Sequence, residues 1–392
     1  MLRLICIFSA ALTALCVGAR EKWTEAEANA WYENKPFMAG CNFVPSDASN
    51  QIEMWSSSTF NPKLIDAELA MAQKLGFNTM RVFLSDVVWR HEGQKFFENV
   101  DKYLQIADSH GIKTLFVFFD SCWNSVSKYG KQPEPKGTHN SNWLKSPPFK
   151  VLADDSAWGS LEKYVKQTVS RYADDQRVIG WDVFNEPGNI GISVDQNGAL
   201  KGDLKMFERT ERLLKLSFEW ARSANPSQPI TAGVYTSDNS PVGKVMNPIQ
   251  LEESDIISFH CYGGKGSLMA LIKKLGKLNR PMFCTEYMAR PYSTFDPCLG
   301  VMKDHKVAAY NWGFVNGRTH TDRPWSMLEG KYPKGMWFHD VLKPDGSPYD
   351  QKEAEYIKKI MGVSKNKPRD SQKTFLLLLS VRVINGPGFA GR

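Results

Sequence analysis

The sequence predicts an α/β protein folded as one (β/α)8 TIM barrel, and three observations lead there. Short apolar runs alternate with longer helical patterns, eight such runs can be placed, and reactive polar side chains stand where the runs end. The runs cover 37–43, 79–84, 113–119, 178–184, 229–234, 256–260, 281–285 and 307–315. They are near-continuous in apolar residues rather than alternating, as expected of strands covered on both faces in a parallel sheet wrapped by helices. With 392 residues, 42% of them hydrophobic, the chain has room for one such barrel, which takes about 250 residues plus insertions. An open doubly wound sheet is the structural rival. It would normally carry a Gly-rich turn after its first strand, and none follows 37–43.

Helices fill the intervals. Asn61 reads as an N-cap with Pro62 at the first helical position; Leu64, Ala67, Leu69, Met71 and Leu75 mark the apolar side, and Gly76 closes the helix. Segments 100–109 (ending at Gly111), 158–172, 204–224 and 266–278 follow the same logic, and a turn and helix over 343–361 complete the barrel. One connection, 121–155, is unusually long and carries Trp123, Trp143 and two Pro-rich stretches, 132–136 and 146–148. Loops of this length inside compact domains are usually functional, so it is expected to wall a substrate cleft.

The chain ends differ from the body. Residues 1–19 read as a secretory signal: Arg3 supplies a positive start, 4–17 is mostly apolar, and Val17-Gly18-Ala19 offers small residues for cleavage after Ala19. A secreted, extracellular protein is expected. The apolar run is short for a spanning helix, which needs about 20 residues, and no other stretch is long enough, so no membrane partner is expected. The barrel domain is assigned to 20–362 and a basic tail, expected to be disordered, to 363–392.

From Gly362 onward there are six Lys or Arg against one Asp, so this end carries +5 of the formal +7. The near-neutral body shows no basic stripe with interleaved aromatics, which argues against nucleic acid as a partner. Of seven Cys, Cys6 and Cys16 leave with the leader. Cys41, Cys122, Cys261, Cys284 and Cys298 lie mostly in or beside apolar strands and read as buried free thiols; one disulfide is possible but not assignable. No Cys/His spacing matches a zinc site, so neither metal nor organic cofactor is expected. There is no Asn-x-Ser/Thr sequon with a permitted middle residue. A monomer is expected.

Two carboxylates carry the chemistry. Glu186 ends the run Gly180-Trp181-Asp182-Val183-Phe184-Asn185-Glu186, and Glu286 ends Pro281-Met282-Phe283-Cys284-Thr285-Glu286. Barrel enzymes place their chemistry at the C-terminal strand ends, so the fourth and seventh strands would aim both groups into one mouth. Hydrolysis of a glycosidic bond needs such a pair, one to protonate the leaving oxygen and one on the far side of the anomeric carbon. Other strand ends add Asn42, Arg81, Asp120, His260 with Tyr262, and Trp312 with Asn316 and Arg318.

Asn185-Glu186-Pro187 after a strand, combined with Arg81, His260-Cys261-Tyr262, Glu286 and Trp312 at other strand ends, resembles clan A glycoside hydrolases, most closely family 5, over about 31–361. The resemblance implies a retaining glycosidase acting on an oligo- or polysaccharide such as β-glucan, mannan or a related hemicellulose. By matching position, it implies that Glu186 is the acid/base and Glu286 the nucleophile. Asn185 would bond the sugar 2-hydroxyl, Arg81 and Tyr262 would contact the nucleophile, His260 would lie near the acid/base, and Trp312 would floor the subsite. Trp123, on the long loop, joins these as a substrate-binding candidate. Arg81 is expected to keep Glu286 ionised, and Glu186 to have a raised pKa. One departure stands out: many members carry His at the third strand end, where this chain reads Asp120-Ser121-Cys122-Trp123. A carbohydrate-binding protein on a degenerate barrel, or a transglycosylase on the same site, are the alternatives.

Overall fold

The computed structural model describes residues 18–195 and 199–363, so most of the expected leader and the basic tail lie outside the described residues. Eight strands form one sheet: β1 (Ala39–Asn42), β2 (Thr79–Phe83), β3 (Lys113–Asp120), β4 (Val178–Asn185), β5 (Ile230–Thr231), β6 (Ile257–Cys261), β7 (Met282–Tyr287) and β8 (Val307–Trp312). All pair in parallel, in the order β5-β4-β3-β2-β1-β8-β7-β6. A bridge between Val234 and Phe259 closes the ring: the Val234 N–H donates to Ser258 O at 3.0 Å, and the His260 N–H donates to Val234 O at 2.9 Å. Helices flank the strands, so β2, β4 and β8 are buried along their whole length, as the continuous apolar runs require.

The strand boundaries differ from the expected ones where the site is built. The fifth run shrinks to two paired residues. Gly233 passes so close to its neighbours that a Cβ there would stand 3.1 Å from Thr285 Oγ1 and 3.3 Å from Ser258 Oγ. The seventh run extends through Glu286, which therefore lies within the strand rather than after it. The ladder slips on both sides of β7: Phe259 pairs with Cys284 but His260 with Glu286, and Ala309 pairs with Cys284 but Asn311 with Tyr287. Such irregularities re-aim side chains, and this one sets His260 beside Glu286.

Helix Pro62–Leu75 has the expected caps: the Asn61 side chain accepts from Leu64 N, and Gly76 adopts φ +90°. Its buried side is Ile65, Glu68, Leu69, Ala72 and Leu75, turned from the expected stripe, with Ala67 exposed. The backbone N–H of Ser46 draws the Glu68 carboxylate inward, donating to both its oxygens at 3.1 and 3.3 Å. The expected helix over 100–109 starts earlier, at Gln94 after Gly93, because Phe96 and Phe97 are also buried. Helices Glu25–Glu33, Gln51–Trp55, Asp86–Glu92, Pro241–Glu253 and Phe295–Asp304 were not singled out by periodicity.

The five cysteines among the described residues are all free, so no disulfide forms between them. No helix among the described residues is long and apolar enough to cross a membrane.

Candidate active site

Arg81 is the hub of the site. It is fully buried on β2, and a guanidinium in the interior must find acceptors for its N–H groups. Nε and Nη2 both donate to Asp182 Oδ2 on β4, at 3.0 and 2.8 Å. Nη2 also donates to Asn185 Oδ1 at 2.8 Å, and Nη1 to Asn42 Oδ1 at 2.8 Å and Glu286 Oε1 at 3.0 Å. One cation thus ties together β1, β2, β4 and β7. Burial alone would lower its pKa, but Asp182 and Glu286 more than offset that.

Glu286 receives a second donor, the Tyr262 hydroxyl, at 2.6 Å on Oε2. Glu186 sits at the mouth with φ +45°. Its Oε1 lies 2.9 Å from His260 Nδ1, while Oε2 accepts from Asn189 Nδ2 at 2.6 Å and from the Cys122 thiol at 3.1 Å. His260 Nδ1 is also 3.5 Å from Glu286 Oε2, so the imidazole bridges the two carboxylates. One acceptor atom of each of Glu186, His260 and Glu286 lies within 4.8 Å of the others. This is the one group among the described residues spaced to hold a metal ion, but both Glu286 oxygens already accept hydrogen bonds from Arg81 and Tyr262.

The electrostatics reverse the expected order of the two acids. Burial raises the pKa of Glu286, with the charge of Glu186 adding to it, against His260 and Arg81. Burial also opposes ionisation of Glu186, but the hydrogen bond and charge of His260 win, and its pKa falls below the usual carboxylate value. His260 is raised in turn: burial opposes its charge, and Glu286 and Glu186 overcome that. Arg81 therefore does not set the pair by itself, because His260 touches the opposite acid.

These residues edge a cavity of about 450 Å³. Asn185, Glu186, Tyr262, Glu286, Trp312 and Trp123 all reach it, whereas Arg81 and His260 stand behind its wall and support the carboxylates. Trp312 packs edge-on against Phe83 and Trp143, with ring centroids 5.8 and 5.5 Å away. The long loop does wall the cavity, contributing Cys122, Trp123, His139, Asn140 and Trp143. Two bridges pin it, Asp120 with Ser146 and Asn124 with Leu144. Trp123 is 41% exposed, as a stacking surface would be, while Trp143 is buried and donates from Nε1 to Asp120 Oδ2 at 2.7 Å. From the loop after β8, Trp325 stands edge-on to Tyr262 at 5.0 Å.

The contacts made by Asp182, Cys122, Asn189 and Asp120 are not read from the sequence. Asp182 lay hidden in an apolar run. The partnership of Cys122 and Asn189 with Glu186 had one visible signal: Glu186-Pro187-Gly188-Asn189 is a Pro-Gly turn, which returns the fourth residue to the first. Gly188 adopts φ +84°, and the Asn189 N–H donates to Glu186 O at 3.0 Å. Asp120 serves as a buried acceptor. Its Oδ1 takes the Asn185 amide at 3.0 Å and the Cys122 N–H at 2.8 Å, and burial pushes its pKa up to about 6.

Comparison with known proteins follows the same lines. Over 103 residues the chain is 25% identical to the probable mannan endo-1,4-beta-mannosidase F of Aspergillus flavus; that stretch is 26% of this chain and 20% of the relative. The chain therefore aligns with only about a fifth of that curated relative's length. In fold it is similar to a GH5_18 protein of Streptomyces cattleya solved with GlcNAc (TM-score 0.55, 14% identity, 85% of this chain and 82% of that one). It is also similar to the endo-1,4-beta-mannanase of Rhizomucor miehei (TM-score 0.53, 16% identity, 84% and 95%). The sequence pattern of Cellulase (glycosyl hydrolase family 5) matches residues 38–317, most of the barrel, and the chain belongs to that family.

Proposed function

We propose that the protein is a retaining glycoside hydrolase of β-linked glycans, with Glu186 as acid/base and Glu286 as nucleophile. The observation that carries the reading is the pair itself: two carboxylates, on β7 and just past β4, with one oxygen of each within 4.8 Å of the other in one cavity. Retaining enzymes hold their carboxyls about 5–5.5 Å apart, and inverting ones leave about 6.5–9.5 Å for a water. The spacing supports double displacement. Glu286 attacks the anomeric carbon while Glu186 protonates the leaving oxygen, and Glu186 then takes a proton from the water that hydrolyses the glycosyl-enzyme.

The proton comes from the network around the pair. Two close carboxylates do not readily ionise together, and they titrate with His260 as one unit. An imidazolium against ionised Glu186 has the same total charge as neutral His260 against protonated Glu186. A sugar that displaces water from the cavity favours the neutral arrangement across this 2.9 Å contact. Arg81 and Tyr262 steady the charge of Glu286 before attack. In this reading Asn185, oriented by Arg81 and Asp120, bonds the sugar 2-hydroxyl, and Trp312 and Trp123 stack against pyranose C–H groups.

Mannan is the first substrate to test, because the curated relatives carry mannanase names. The rest of the reading places a leader at residues 1–19 and a secreted monomeric barrel over 20–362, followed by a basic tail over 363–392. The test is reducing-sugar release from β-mannan, β-glucan and xylan by the protein and by Glu286→Gln, with the anomer of the first product followed by proton NMR. The expected result is release from one class, a β product formed first, and a loss of at least about a thousandfold in the variant. An α product formed first would overturn double displacement; an unimpaired variant would overturn the assignment of Glu286.

A further inference from the structure

Glu186 is held on both sides. Oε1 faces His260, and Oε2 accepts from two donors on separate loops, Cys122 after β3 and Asn189 in the turn after β4. Nothing in the chemistry of the two carboxylates demands the second pair of contacts. The thiol is aimed by its own surroundings: the Cys122 N–H donates to Asp120 Oδ1, and Asn185 Nδ2 and Asn189 Nδ2 each lie 3.6 Å from Sγ. Burial and the neighbouring charges of Asp120 and Glu186 push the thiol's pKa well up, so it remains a donor. An amide N–H and a thiol S–H toward one oxygen favour the ionised carboxylate.

We propose that Cys122 and Asn189 are positioning residues acting through Glu186: together they fix its Oε2 at the cavity and set the pH at which it gives up its proton. The inference rests on Glu186 being the acid/base. The other charged or titratable groups around Glu186 are His260, Glu286, Tyr262, Tyr235, Asp120 and Lys145. None of these donates to Oε2 among the contacts described. Removing either donor destabilises the state in which both carboxylates are ionised. The upper pKa of the pair must then rise, whichever acid holds the last proton.

The test measures kcat/KM against pH on the substrate found active, for the full chain and for Cys122→Ala, Cys122→Ser and Asn189→Ala. The basic limb moves up by roughly half a unit to one unit in the two alanine variants, as expected for one lost hydrogen bond to a charge. The serine variant, which keeps a hydroxyl donor, lies nearer the parent. A residue that only supports the fold would lower kcat/KM at every pH and leave the limb in place, and that result would overturn the proposal.

A second readout needs no turnover. Cys122 is the half-buried thiol among the described cysteines, the other four being buried. Iodoacetamide at pH 8 should label it several-fold faster in Glu186→Gln than in the parent, because burial and Asp120 still hold the thiol protonated but the charge of Glu186 no longer adds to them. Equal rates, or labelling mapped to another cysteine, would overturn the contact. Hydrolysis surviving in Glu286→Gln would instead overturn the assignment of Glu286 as nucleophile, while the alkylation rates still judge the Cys122–Glu186 contact.

Discussion

Asp182 Oδ2 accepts two hydrogen bonds from Arg81, at 3.0 Å from Nε and 2.8 Å from Nη2, and both side chains are fully buried. Asp182 holds the fork from the β4 side and leaves Nη1 pointing to Asn42 and Glu286. The pair links the barrel's interior to the charge balance of its mouth.

Asp182→Asn should therefore act on both. Removing one partner of a buried ion pair costs about 3 kcal/mol or more, read as a lower urea midpoint. With Asp182 neutral, the Arg81 cation bears on Glu286 alone and lowers its pKa, so the acidic limb of kcat/KM moves to lower pH. A variant as stable as the parent, with an unmoved limb, would show that the pair is isolated from the site.

Tyr262→Phe should move that limb the other way. The hydroxyl donates to Glu286 Oε2 and so favours the ionised acid; without it the pKa rises further. We expect kcat/KM to fall about tenfold, with the acidic limb displaced to higher pH and little change in melting temperature.

Gly188→Ala tests the turn that presents Glu186 and Asn189. Gly188 has φ +84°, and a Cβ there would stand 2.8 Å from Phe207 Cε2 and 3.1 Å from Val242 Cγ1. Strain and overlap together should lower stability by about 1–3 kcal/mol. Activity measured well below the melting temperature should fall as well, since Asn189 is displaced.

Glu68 gives a pH signature far from the chemistry. Burial raises its pKa from 4.5 to about 7, so its contribution to stability is complete below the unfolded-state value and is lost as pH rises through the folded one. Glu68→Gln has no such loss. Relative to the parent it should gain roughly 3 kcal/mol between pH 4 and pH 8, visible as paired melting curves that converge or cross. A constant offset would mean that Glu68 is ionised throughout.

Much of this was legible in the residues. Eight apolar runs located every barrel strand because parallel strands are buried on both faces, and helix Pro62–Leu75 announced itself through Asn61, Pro62 and Gly76. Glu186 and Glu286 stand out in the sequence as carboxylates at the C-terminal part of apolar runs, although Glu286 lies inside its strand. The inward turn of Glu68 was not legible, since its partner is a backbone N–H 22 residues away. Asp182 was hidden for a similar reason: inside an apolar run a carboxylate gives no sign of which distant cation will meet it. The ordering of the two acids failed because it depends on His260 reaching from β6 to both carboxylates, a contact no spacing encodes.

The ring of strands has an unequal circumference. Seven of its joints are ladders, and the eighth, between β5 and β6, is the bridge at Val234, backed by the Asp255 N–H to Ile230 O and by the Thr231 and Asp255 side chains. Its last bond is the N–H of His260, the residue lying against both carboxylates. One bond of the joint and the contact with both carboxylates thus belong to the same amino acid. Thermal breathing that lets the ring part at this joint would separate the imidazole from the acids while Arg81 still holds its own side. Such a protein would fall silent before it unfolds, and its amide protons near Val234 would exchange ahead of those in β2 and β3.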